Sequence, residues 1–102
     1  MSQEAPRITV QGLKVLKAFA AAPLTERSGA DIAREAHIFA GTLYPLLIRF
    51  ENAGWLASHW EDLDPVAAGR PRRRLYRITA LGIAVYRDKL SELTIGEPLW
   101  VS

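Results

Sequence analysis

The segment Gly41–Trp60, GTLYPLLIRFENAGWLASHW, carries the pattern that decides the fold. Leu43, Leu46, Leu47 and Phe50 share one stripe at helical spacing, and Gly54 stands where a C′ glycine closes a helix. WLASHW then reads as a strand. Pro45 is the difficult residue, because a proline in a helix interior costs about 3 kcal/mol. With Thr42 as the N-cap, Pro45 falls in the first turn, where its missing amide has no partner to lose. With a start near Ala40, one bond to the Gly41 carbonyl is lost and a mild kink follows.

Upstream, residues 8–22 place Val10, Leu13, Leu16 and Phe19 at every third or fourth position, with Lys14 and Lys17 opposite. That spacing predicts an amphipathic helix, which Pro23 closes. In SGADIAREA, Ser28 is a good N-cap and Asp31 sits three residues on, as in a capping box, so a second helix of about two turns follows. HIF is a tight connection, and residues 28–54 therefore read as a helix-turn-helix whose second helix is the candidate reader. Downstream, RRLYRIT alternates as another strand, while EDLDPVAAGRP has the proline and glycine of a loop. Residues 55–79 read as a β-hairpin wing. Residues 80–93 read as a last helix capped by Thr79, and residues 94–102 as an irregular tail. The expected fold is mostly α with a small antiparallel β-hairpin, a winged helix-turn-helix in one domain of 102 residues.

The wing holds the chain's densest charge. GRPRRRLYRIT, Gly69–Thr79, packs five of the 13 Lys and Arg residues into eight positions, and no Asp or Glu occurs from Pro65 to Arg87. The net charge is only +2, so this charge matters through its position. Arginine's planar fork suits phosphate oxygens and the minor-groove edge. Strand alternation sends Tyr76 and Ile78 to the core and leaves Arg74 at the solvent end. Arg70, Arg72 and Arg73 are then the leading candidates for contact with double-stranded DNA, and Arg77 can instead pair with Glu61, Asp62 or Asp64. On the reading helix, Gly41, Thr42, Tyr44 and Pro45 stand at a positive helix end, where small and hydroxyl-bearing groups meet phosphates and base edges. Arg49 shares the face of Thr42 and Pro45. It can reach a phosphate or pair with Glu35 or Glu51.

Other chemistries find little support. Hydrophobic residues make up 49% of the chain and charged residues 24%, an ordinary globular composition. The absence of cysteine excludes disulfides, thiolate metal sites and thiol catalysis. The N-terminal residues lack a secretory pattern and no apolar run reaches 18 residues, so the expectation is a cytoplasmic protein. His37 and His59 lack metal-ligand spacing, and no phosphate loop or nucleophile arrangement is present. Neither an enzyme nor a bound metal or cofactor is expected.

GTLYPLLIRFENAGWLASHW followed by GRPRRRLYRIT, with LG opening a helix, resembles the PadR family of bacterial winged-helix transcriptional regulators. The resemblance covers about Ser28 to Leu90 and rests on two separated motifs in the correct order. It implies that Thr42, Tyr44 and Pro45 read or clamp the major groove and that Arg72, Arg73 and Arg74 serve the wing. It also implies a homodimer, built from the first and last helices, whose repression a small aromatic effector relieves in some members. Two departures stand out. Phe39-Ala40 replaces the family's frequent Ser-Pro pair, so the usual cap is missing, and ERSGADIA stands where a His-Gly-Tyr element is frequent. The MarR family is similar in fold but lacks the GTLYP and GRPRRR combination.

Val10, Leu13, Val15, Leu16 and Phe19 spread around the first helix, while Ile83, Tyr86, Leu90 and Leu93 stripe the last. Both are expected to meet their copies across a two-fold axis. Phe19, Tyr86 and Trp100 are the candidates for contact with the partner or with an aromatic effector. The expected function is a repressor acting as a homodimer on a palindromic operator. The alternative is a winged-helix module that has lost DNA binding and sets its basic wing against an acidic protein.

Overall fold

The computed structural model describes residues 6–96. The chain runs α1 (Val10–Ala21), β1 (Arg27–Ser28), α2 (Gly29–Ala36), α3 (Ala40–Asn52), β2 (Leu56–Trp60), α4 (Pro65–Ala68), β3 (Arg74–Ile78) and α5 (Ala80–Gly96). The winged helix-turn-helix is the fold the sequence predicts. Thr9 starts α1, its hydroxyl oxygen accepting the Gly12 N–H at 3.1 Å, so the helix opens two residues later than hydrophobic spacing suggests.

The α2 capping box forms as read. The Ser28 hydroxyl oxygen accepts the Asp31 N–H at 3.2 Å, and the Asp31 carboxylate accepts the Ser28 N–H at 3.0 Å. That backbone N–H is the main reason the Asp31 pKa lies below its ordinary value. His37 ends α2 in the left-handed region, with φ 56, and turns the chain toward α3.

The start of α3 corrects one of the two readings. Phe39 is the N-cap, in extended conformation and without a side-chain hydrogen bond, so Thr42 is not the cap. Thr42 lies inside the first turn and donates its N–H to the Phe39 carbonyl at 3.0 Å. Pro45 therefore falls within the helix, and the Gly41 carbonyl loses its usual i+4 donor. At the other end Gly54 takes φ 82, its N–H reaching the Glu51 carbonyl and that of Trp55 the Phe50 carbonyl, both at 2.9 Å. This double closure satisfies the last carbonyls and aims the chain into β2.

The wing has three strands rather than two. Their order is β1-β3-β2, all neighbours antiparallel, with β3 in the centre. Leu56 faces Ile78 and Trp60 faces Arg74 on one side, while Arg27 faces Tyr76 on the other. The segment expected to be a loop contains the turn α4, capped by Asp64 and closed by Gly69 at φ 69. Tyr76 and Ile78 are buried, as strand alternation requires.

Val15, Leu16, Phe19, Ile32, Leu43, Leu47 and Phe50 form the fully buried centre of the core. This corrects the reading of α1: Phe19 lies inside its own subunit and is closed to any partner. Only Val10 of the α1 apolar set is strongly exposed. Thr79 caps α5 as expected, its hydroxyl oxygen accepting the Gly82 N–H at 3.0 Å. The helix continues to Gly96, so residues 94–96 are helical where an irregular tail was expected. Ile83, Val85 and Tyr86 pack partly against the core, while Leu81, Leu90 and Leu93 remain exposed. Trp100 lies outside the described residues. No helix among the described residues is long and apolar enough to cross a membrane.

Candidate nucleic-acid interface

The apolar stripe of α3 turns the opposite face outward, and Gly41, Thr42, Pro45 and Arg49 are all exposed on it. Arg49 makes no ion pair among the described residues. The two acids expected to compete for it are engaged elsewhere, Glu35 with Arg27 at 2.6 Å and Glu51 with the Ser58 hydroxyl at 2.6 Å. Its guanidinium therefore stays available on the solvent face.

Tyr44 lies at the edge of this face, 44% exposed, with its ring against the first turn of α2. A Cβ placed on Gly29 would sit 2.7 Å from both the Tyr44 hydroxyl oxygen and a ring carbon. Glycine at 29 is thus what allows Tyr44 to close onto α2. Gly29→Ala is expected to preserve the fold, because Tyr44 can swing away and alanine favours a helix by up to about 1 kcal/mol. DNA affinity should nevertheless fall several-fold as the hydroxyl leaves its place, by about 0.5–1.5 kcal/mol for one hydrogen bond. Thermal unfolding and fluorescence anisotropy on one preparation separate the two effects. An unchanged affinity removes Tyr44 from the contact.

The wing arginines divide by partner. Arg70 is held by Glu61 in a two-pronged pair, at 2.6 and 3.0 Å, and the same carboxylate accepts the Arg73 N–H at 2.9 Å. These contacts, Arg70's first, draw the Glu61 pKa down to about 2. Glu61 is therefore a brace across the loop end of the β2–β3 hairpin, and Arg70 spends its fork on that brace. Arg77, the residue expected to meet this acidic run, is exposed and makes no ion pair among the described residues. Arg72 donates Nε to the Leu63 carbonyl at 2.8 Å, a neutral partner that leaves its charge intact. Arg74 lies over the Trp60 ring at 5.2 Å and donates to the Ser58 hydroxyl at 2.9 Å, with Glu51 at 3.8 Å. Arg73 is exposed and its side chain makes no ion pair among the described residues. Arg72, Arg73 and Arg77 are the wing charges without an acidic partner among the described residues, and Arg72 and Arg73 are the two at its loop end.

Between the wing and the N-terminus of α2, with Tyr44 of α3 at its edge, lies a cleft of about 240 Å³, lined by Ser28, Gly29, Asp31, Arg34, Tyr44, Arg73 and Arg74. It gathers Tyr44 with two wing arginines beside the N-terminus of α2. Arg34 was not singled out in the sequence. Its Asp31 partner, at 2.5 Å, makes it look like an ordinary helix-surface pair, and only the fold brings it beside the wing. Farther along the sheet, His59 hydrogen-bonds to Glu26, which raises its pKa above the ordinary value.

The model of the PadR-like transcriptional regulator family matches residues 23–88, the span from before β1 into α5. The chain belongs to that family. A PadR-family transcriptional regulator from Eggerthella lenta DSM 2243 has a similar crystal structure: 27% identity, a TM-score of 0.66, and coverage of 83% of this chain and 75% of that one. NadR, in complex with 4-hydroxyphenylacetate, is 25% identical with a TM-score of 0.64, over 78% of this chain and 51% of its own. S. aureus MepR, in complex with DNA, shares the fold at 20% identity and a TM-score of 0.66, over 82% of this chain and 63% of its own. This PadR-family chain thus spans about half the length of NadR. A search of curated proteins returned no match.

Proposed function

We propose that this PadR-family regulator is a sequence-specific DNA-binding repressor that acts as a homodimer on a palindromic operator. The observation that carries the reading is the cleft joining Tyr44 of α3 to Arg73 and Arg74 of the wing, beside the positive end of α2. In this reading α3 enters the major groove, Gly41, Thr42, Pro45 and Arg49 face the bases and nearby phosphates, and Arg72 and Arg73 hold the flanking backbone. Arg70 contributes by stiffening the wing. MepR, which shares this fold, forms a complex with DNA, in support of DNA as the ligand.

Exposed Leu81, Leu90 and Leu93 on α5, with Val10 on α1, support pairing through these helices. The two reading helices then address half-sites about 34–36 Å apart. An open groove of about 480 Å³ between α1 and α2, walled by Lys14 and Lys17 from α1 and by Glu35 and His37 from the end of α2 over Ala18 and Ala36, offers room for a small aromatic effector. The ligand bound to NadR supports that class of effector.

Selection of bound duplexes from a random library, followed by sedimentation of the complex, tests the reading. The expected result is a palindromic consensus bound by two protomers and released by an aromatic acid. Salt-insensitive binding without consensus, or specific binding by a clean 11.3 kDa monomer, overturns it.

A further inference from the structure

Phe39 is 90% exposed, and at the N-cap of α3 only its backbone carbonyl serves the helix, its side chain making no cap hydrogen bond. Ser, Thr, Asp or Asn would satisfy an amide there, so this aromatic ring contributes nothing to helix closure. From Ala40 to Ile48 the exposed face that follows carries two polar side chains, Thr42 and Tyr44. Ala40, Gly41, Pro45 and Ile48 are exposed and apolar, Ile48 at 59%. Thr42 contributes one hydroxyl, and the Tyr44 hydroxyl is turned aside against Gly29. Arg49 and Asn52 enter only in the last turn. From Ala40 to Ile48 this surface runs about 12 Å along the helix, at ~1.5 Å per residue, and Phe39 stands exposed at its N-terminal end.

A reading helix so poor in donors and acceptors cannot distinguish bases chiefly by paired hydrogen bonds. The major groove offers one apolar feature, the 5-methyl group of thymine, and phenylalanine and alanine are among the side chains that contact it. We propose that the α3 face reads thymine methyl groups, with Phe39 as its specificity-determining residue. The proposal rests on the DNA-binding reading above. In that docking mode the N-terminal residues of the helix meet the base edges, which places the Phe39 ring at the groove floor.

Replacing single thymines of the selected operator by deoxyuridine removes the methyl and leaves every hydrogen-bonding group in place. Wild-type protein is expected to bind about fourfold more weakly at each contacted position, the factor that burial of one such group carries. In Phe39→Ser the position with the largest wild-type loss should become insensitive to the methyl. Serine is a favoured N-cap, so the variant should melt no lower than wild type. Equal wild-type affinity for thymine and uracil duplexes overturns the proposal, as does full methyl dependence retained in Phe39→Ser. A changed sedimentation coefficient of free Phe39→Ser would place the ring in a protein interface and also overturn it. Loss of all specific binding by wild type has a different meaning, because it removes the DNA-binding reading itself.

Discussion

Gly82→Ala is expected to lower stability by about 3 kcal/mol or more, at or beyond the upper end for overpacking. A Cβ at Gly82 would lie 2.2 Å from the Trp55 carbonyl oxygen, 3.0 Å from its carbon and 2.7 Å from Ile78 Cγ1. The obstacle is backbone, and it is pinned from both sides. The Trp55 carbonyl accepts the Thr79 N–H at 2.9 Å and its hydroxyl at 3.1 Å, while the Trp55 N–H is tied to Phe50. Relief therefore requires α5 to lift from the end of α3 and the start of β2. Helix propensity alone predicts the opposite sign, since alanine is better than glycine by about 1 kcal/mol. For a domain of this size the melting temperature should fall by about 12 °C or more, at ~4–8 °C per kcal/mol. Thermal unfolding by circular dichroism measures it. A midpoint within a few degrees of wild type would show that α5 is free to move at this point.

The double substitution Arg72→Ala/Arg73→Ala is expected to cause the largest loss of DNA affinity, about tenfold for each charged contact at low salt. Specific and random duplexes should lose together, because phosphate contacts carry no sequence information. The slope of log affinity against log salt should become shallower by about 1.8 per protomer, at ~0.9 for each contact. Arg70→Ala should behave differently. Its guanidinium is already committed to Glu61, so its effect should come through looser wing geometry rather than a lost unit of salt slope. An unchanged slope in the double variant would take the wing out of the mechanism.

Local, short-range signals made much of this fold legible. The α2 capping box, the Gly54 closure of α3 and the Thr79 cap all lie within a few residues of the groups they satisfy. The strand alternation that buries Tyr76 and Ile78 is equally local. What escaped was set by partners distant in the chain. β1 is two residues of polar sequence that become a strand only because β3 lies alongside. The Glu61–Arg70 brace joins opposite sides of the wing, so an acid offered to Arg77 and an arginine offered to DNA hold one another instead. Phe39 was masked for another reason: aromatic residues are poor N-caps, and propensity therefore pointed to Thr42. The candidate interface was half readable. Gly41, Thr42, Pro45 and Arg49 do share an exposed face, but the dependence of Tyr44 on Gly29 could not be seen without packing.

Arg27 has a mechanical consequence. Its guanidinium is inside the protein, 5.3 Å over the Phe19 ring, donating to the Phe19 and Ala22 carbonyls at 3.2 and 3.4 Å and to Glu35 at 2.6 Å. One side chain thus rivets the tail of α1 to the flank of α2, while its own backbone is stitched into the sheet beside Tyr76. Turning α1 against α2 would pull this buried guanidinium away from three acceptors at once, two of them carbonyls at the end of α1. α1 and α2 are thereby clamped in one relative orientation, and Ile32 and Leu43 join that pair to α3 in the shared core.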